Sequence, residues 1–202
     1  MDLYLIRHGE TEGNAGHFIQ GWTEVSLTAD GRQMALELGA KIREKQLVFD
    51  KIYCSDLTRA RQTCALVFPE EQGRILYDER IREIDNTVLA GWHSEQLVST
   101  FGEQYERAVS RLSYEEFGGE AGPHLMERVR GFLDFVAADT ESKKIAAVTH
   151  GGIISAVMML LFGKDFIDHR VLITRNASVT VIRYDPRYSR WRLVCFGNRE
   201  EF

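Results

Sequence analysis

The chain has 202 residues, 44% of them hydrophobic and 27% charged, with a formal net charge of -5. This is the composition of a globular protein and excludes an intrinsically disordered one. Mild acidity also argues against sequence-independent nucleic-acid binding, which depends on basic surface, but it leaves room for a phosphate held by a few local arginines.

The length suits one domain over residues 1–202. Asp2 to Ile6 reads as a short buried strand that runs into Arg7-His8-Gly9-Glu10-Thr11. Thr28 can cap a helix to about Lys45, with Met34, Leu38 and Ile42 on one stripe. Lys51 to Cys54 reads as a buried strand, and the helix after it starts near Leu57 and stops before Pro69. Arg74 to Tyr77 is a third strand. The stretch 86–122, rich in acids and carrying Trp92, Phe101, Tyr105, Tyr114 and Phe117, breaks the alternation and reads as a cap insertion or as ordinary surface helices. Its aromatics suggest an apolar or ring-bearing leaving group, or else rings that pack the insertion onto the core. Pro123 suits the first turn of a helix to about Thr140. Ile145 to Thr149 is a strand, Gly151 to Phe162 a helix, and Val179 to Tyr184 and Trp191 to Phe196 a terminal pair. The alternation predicts an α/β fold with a mainly parallel sheet flanked by helices.

Cys54, Cys64 and Cys195 are odd in number, form no Cys-x-x-Cys pair and sit in apolar contexts, so they read as reduced core residues. The N-terminus lacks signal-peptide features, and the longest apolar stretch, Ile153 to Phe162, is too short to span a bilayer. The expectation is a cytoplasmic protein with no membrane partner.

Four places just past strands could carry one chemistry: Arg7 and His8 with Asn14; Ser55 to Thr63, with Arg59 in the first helical turn; Arg82-Glu83; and Val148 to Gly152, with His150 and Gly151. In open α/β sheets, ligands bind at the carboxyl ends of the strands. If the four places share one sheet edge, two guanidiniums can hold a phosphoryl group. One neutral imidazole can attack it, the other can stabilise its oxygens, and Glu83 can protonate the leaving oxygen and later activate water. Neighbouring arginines oppose a divalent cation, so no metal is expected between His8 and His150. His17, His93, His124 and His169 show no ligand spacing and read as surface or hydrogen-bonded core residues, with His93 and His124 as possible contributors to the pocket mouth.

These motifs, with Gln20-Gly21, Leu27-Thr28, Gly31, Gln33, Arg59-Ala60-x-Gln62-Thr63, Gly119-Glu120, Arg128, Asn176 and Ser178, resemble the phosphoglycerate mutase-like branch of the histidine phosphatase superfamily. The resemblance spans nearly the whole chain. It implies a three-layer sandwich with a mixed, mostly parallel central sheet and a short cap insertion after the acid. It implies catalytic roles for His8, Glu83 and His150. It groups Arg7, Asn14, Arg59, Gly151, Gln20 and Gly21 as phosphate-binding residues, with no metal and no organic cofactor. Two departures stand out. Asn86-Thr87-Val88-Leu89-Ala90-Gly91 replaces a Phe-Gly-x-Trp-Glu-Gly segment, and Gly119-Glu120-Ala121 lacks the family's serine, with Gly122-Pro123 as an alternative start for the next helix.

The expected activity is a metal-independent phosphomonoester phosphatase acting on a small phosphorylated metabolite through a phosphohistidine. The alternatives are a mutase-type phosphotransferase and a non-catalytic partner-binding module of the same fold. The short, acidic insertion favours the first, since it has few basic groups to grip a second anion.

Overall fold

A computed structural model describes residues 1–163 and 168–202, apart from the side chain of Arg170. Alternating side chains on the strands set the architecture. Strand β1 (Asp2–Arg7) sends Leu3 and Leu5 to one face and Tyr4 and Ile6 to the other, and all four are buried. A strand apolar on both faces must lie inside a sheet covered on both sides.

Six strands form one sheet in the order β3-β2-β4-β1-β5-β6. They are β1, β2 (Lys51–Cys54), β3 (Ile75–Tyr77), β4 (Lys144–Thr149), β5 (Val179–Asp185) and β6 (Arg190–Asn198). The first four run parallel, and β5 and β6 complete the sheet antiparallel. The sheet is therefore mixed and mostly parallel, as expected.

Helices α2 (Ala29–Glu44) and α3 (Thr58–Val67) cover one face, burying Leu38, Ile42, Cys64 and Val67 against Tyr4, Ile6, Ile52 and Val148. Helices α6 (Gly122–Ala137) and α7 (Gly151–Phe162) cover the other, burying Phe132, Val136 and Ile153 against Leu3, Leu5 and Ile145. Thr28 caps α2 by accepting the Gly31 N–H at 2.9 Å, as its sequence position predicts. Cys54 and Cys64 are buried free thiols and Cys195 a partly buried one.

A four-residue helix, α1 (Glu12–Ala15), escapes sequence reading because it is one turn held by a reciprocal Thr11–Asn14 cap. The segment 86–122 folds into α4 (Ser94–Phe101), α5 (Glu103–Arg111) and 3-10 turns. Its rings stack on one another: Trp92–Phe101 at 6.0 Å, Phe101–Phe117 at 5.2 Å and Tyr105–Phe117 at 6.3 Å between centroids. Those aromatics are engaged in packing the segment, which removes the reason for inferring a ring-bearing ligand from them. The serine missing after Glu120 is replaced from elsewhere: Ser113 Oγ accepts the Gly122 N–H at 2.9 Å at the start of α6. Among the described residues, no helix is long and apolar enough to cross a membrane.

Candidate active site

Strand order brings the four sequence-distant places together. Because β1 and β4 are parallel neighbours with Arg7 opposite Thr149, the next residues, His8 and His150, leave the sheet side by side. Their ring centroids are 5.1 Å apart. β2 pairs with the other side of β4 and delivers Ser55 and then Arg59 to the same edge.

Fixed bonds orient each group. The Gly9 carbonyl lies 2.7 Å from His8 Nδ1. A carbonyl can only accept, so Nδ1 carries the proton and Nε2 presents its lone pair. His150 Nε2 pairs with Ser55 Oγ at 2.8 Å, and its Nδ1 has no partner. Arg59 is 1% exposed. It donates to the carbonyls of Gly21 at 2.7 Å and Thr23 at 3.2 Å, while its Nε has no partner. Arg7 donates to the Thr174 carbonyl, and its Nε is also unpartnered. Among the described residues, no carboxylate lies within ion-pair distance of either guanidinium. A buried and a partly buried guanidinium, neither ion-paired to a carboxylate among the described residues, thus lie beside an open imidazole nitrogen, an arrangement that suits an oxyanion.

Burial, then the charge of Arg59, pushes both His8 and His150 well below the usual imidazole range, with Arg7 acting in the same direction. Both rings are neutral at pH 7 in the free protein. Unfolded histidine titrates near 6.5, so the stability these rings contribute is complete above that pH and is lost as pH falls towards their depressed folded values. Each ring steepens the pH dependence by up to about 1.4 kcal/mol per pH unit. Urea denaturation at pH 7.5 and 5.5 should therefore show the unliganded protein markedly weaker at 5.5. Stability that is flat over that range would contradict the neutral pair.

The remaining motif residues act as struts. Thr63 Oγ1 accepts the Gly9 N–H at 2.9 Å and donates to the Arg59 carbonyl at 2.7 Å, which ties the first motif to the second. Gln62 Oε1 accepts the Leu27 N–H at 2.8 Å. Asn14 Oδ1 accepts from the Thr11 N–H at 3.2 Å and from Asn176 Nδ2 at 3.0 Å, so its own amide nitrogen is the group left to offer a ligand. Gln20 pairs with Thr11 Oγ1 at 2.9 Å, and Gly21 enters through the carbonyl that holds Arg59. Gly151 N–H opens α7, where free backbone donors and the helix dipole favour an anion.

Glu83 sits against the start of the same helix. Its carboxylate accepts the Gly152 N–H at 3.2 Å and the Ile84 N–H at 3.0 Å. A Cβ at Gly152 would collide with Glu83 Oε1, so the second glycine of the fourth motif is what lets the carboxylate in. The segment carrying Glu83 is clamped by Arg128. This guanidinium donates to the carbonyls of Arg80, Arg82 and Glu83 at 2.8, 2.8 and 2.9 Å and forks onto Glu120. Glu120 also accepts the Asp85 N–H at 3.1 Å. Arg128→Ala would leave the buried Glu120 carboxylate without its guanidinium partner, with only His124 and the Asp85 N–H beside it, at a cost of about 3–5 kcal/mol. A fall of that size in the urea-unfolding free energy is the expected result, and a change near zero would contradict the clamp.

The remaining four histidines lie outside the His8–His150 pair. His17 sits at a left-handed turn position, His93 precedes α4 with its ring edge-on to Phe18, and His124 pairs with Glu120 Oε1 at 2.8 Å. His169 is partly buried, its Nδ1 has no partner, and the charges of Glu83, Asp168 and Arg7 act on its ring. No spacing could have revealed it, because it lies in an irregular connection between α7 and β5.

A histidine pair, two unpaired guanidiniums and a carboxylate at the carboxyl edge of a mostly parallel sheet define a phosphate-handling α/β protein of the histidine phosphatase type. Residues 3–199 match the sequence profile of the histidine phosphatase superfamily (branch 1), and the chain belongs to that superfamily. It is 31% identical to a broad-specificity phosphatase of Saccharomyces cerevisiae, over 98% of this chain and 86% of that protein. It is 30% identical to the probable phosphoglycerate mutase GpmB of Escherichia coli, over 95% of this chain and 87% of that protein. Its fold superposes on a putative alpha-ribazole-5'-P phosphatase from Escherichia coli with a TM-score of 0.83, at 24% identity and 98% coverage of both chains. It superposes on YhfR of Bacillus stearothermophilus with a TM-score of 0.82, at 27% identity, covering 98% of this chain and 96% of that one.

Proposed function

We propose that the protein is a phosphomonoester phosphatase acting on small phosphorylated metabolites through a phosphohistidine at His8. The observation that carries this reading is the pair of guanidiniums, Arg59 buried and Arg7 partly buried, which act together on the His8 ring and have no carboxylate within ion-pair distance among the described residues. A substrate phosphate supplies the missing counter-charge, and the pocket then stabilises the three equatorial oxygens as charge spreads over them.

The reaction divides into two transfers. His8 Nε2 attacks phosphorus in line, the P–O bond to the leaving group breaks, and the Glu83 carboxyl delivers its proton to the departing oxygen. The Glu83 carboxylate then takes a proton from water, which attacks the phosphohistidine and releases inorganic phosphate and free His8. The bound oxyanion favours protonation of His150, so its Nδ1–H can donate to the phosphoryl oxygens while Ser55 holds its Nε2. Asn14 and the Gly151 N–H add hydrogen bonds. None of these steps calls on a metal or an organic cofactor. We further propose that residues 86–122 cap the pocket.

The test is release of inorganic phosphate from p-nitrophenyl phosphate in excess EDTA, together with a coupled assay for 3- to 2-phosphoglycerate conversion. Hydrolysis in EDTA with little conversion is expected. Conversion far faster than hydrolysis would replace the phosphatase reading with a mutase. Neither activity, with no phosphohistidine formed, would leave a binding module.

A further inference from the structure

Among the described residues, six buried side-chain polar atoms lack a partner, and four belong to Arg7, Arg59, His150 and His169. Phosphate binding accounts for the first three. It leaves His169 Nδ1 unexplained.

His169 opens a 3-10 turn, His169–Val171, that packs between α5 of the insertion and α7 of the core. Bonds on its C-terminal side tie the turn to the site. The Leu172 carbonyl accepts from Ser155 Oγ at 3.1 Å, and the same hydroxyl reaches the Gly151 carbonyl at 3.1 Å. Two residues further on, the Thr174 carbonyl accepts from Arg7. The ring thus lies where the pocket meets the insertion, with both Glu83 and Arg7 acting on its charge. Glu83 marks the side from which the leaving oxygen is protonated, so a ring on which both Glu83 and Arg7 act, in a turn bonded to Ser155 and Arg7, lies where the leaving group meets the phosphate.

The chemistry of the ring selects the kind of group it can hold. Burial lowers its pKa, which leaves a neutral imidazole with one donor and one acceptor nitrogen. A hydroxyl, being both donor and acceptor, satisfies Nδ1 in either tautomer. A carboxylate gains less from a neutral ring, and the described arginines on the Glu83 segment and α6 are already engaged, Arg82 by Asp56 and Arg128 by Glu120.

We propose that His169 is a specificity-determining residue that hydrogen-bonds a hydroxyl on the leaving group, so that the preferred substrates are phosphomonoesters of polyols. This rests on the phosphatase reading above. The test uses a matched pair, glycerol 2-phosphate and isopropyl phosphate, which share a carbon skeleton and differ in the hydroxyls, with p-nitrophenyl phosphate as a third substrate. The unaltered protein should prefer glycerol 2-phosphate by at least about tenfold in kcat/KM. His169→Ala should bring that ratio to within about twofold of unity, His169→Gln should restore part of it, and p-nitrophenyl phosphate turnover should change by less than about threefold. A ratio near one in the unaltered protein, a ratio unchanged in the alanine variant, or an equal loss on all three substrates would overturn the proposal. If the unaltered protein releases no phosphate from any of them, it is the phosphatase reading that fails.

Discussion

His8→Ala should abolish turnover of p-nitrophenyl phosphate, lowering kcat by about four orders of magnitude or more, as removal of a covalent nucleophile does. The same variant should form no acid-labile phosphoprotein when mixed with labelled substrate and quenched in alkali. The size of the effect follows from the geometry. Nε2 of His8 is the free nitrogen of a ring whose other nitrogen is tied to the Gly9 carbonyl, and no other nucleophile in the pocket is oriented so. His150 is the nearest substitute, but its Nε2 is taken by Ser55. The alanine variant should still bind orthophosphate, because Arg7 and Arg59 remain. Activity within tenfold of the unaltered protein would remove His8 as the nucleophile, whereas lost activity with lost folding would show in the urea midpoint and leave the assignment to the trapping experiment.

Glu83→Gln should show the second largest loss, about a hundredfold to ten-thousandfold in kcat on alkyl phosphates, the range for a general acid. Glutamine matches the shape of glutamate but keeps one acceptor where the carboxylate used two, Oε1 for the Ile84 N–H and Oε2 for the Gly152 N–H, so the fold should hold with a small loss of stability. The loss should depend on the leaving group. p-Nitrophenolate departs without a proton, so its first transfer should suffer far less than that of glycerol 2-phosphate. Phosphohistidine should then accumulate with p-nitrophenyl phosphate, because the second transfer still needs a base to activate water. Equal losses in the single-turnover rate of the first transfer on both substrates would show that Glu83 positions groups and does not move a proton to the leaving oxygen.

The strands and main helices were legible because each is a run with a clear period. β1, β2 and β4 are short apolar runs, and α2 has both its stripe and its Thr28 cap in the sequence. The site was legible as four separate motifs because Gly, His and Arg cluster where strands end. The insertion was legible only as an interruption. Its aromatics pointed to a ligand until their stacking on one another became visible, since a sequence shows which rings are present and not which faces are used. The cap on α6 from Ser113 and the place of His169 were illegible for a related reason, as both act across turns that no periodicity governs.

The parts are written in the sequence: two imidazoles and two guanidiniums at strand ends or helix starts, and a carboxylate in the connection after β3, with local bonds such as His8 to Gly9 already within reach. That these parts meet depends on the strand order of the folded sheet. Seating β4 between β1 and β2 is a choice of strand order, made by burying both faces of the central strands under α2 and α3 on one side and α6 and α7 on the other. That burial acts on the whole sheet at once, so no local run of residues can encode it, and it is also what leaves the Nε atoms of Arg7 and Arg59 buried and without a partner.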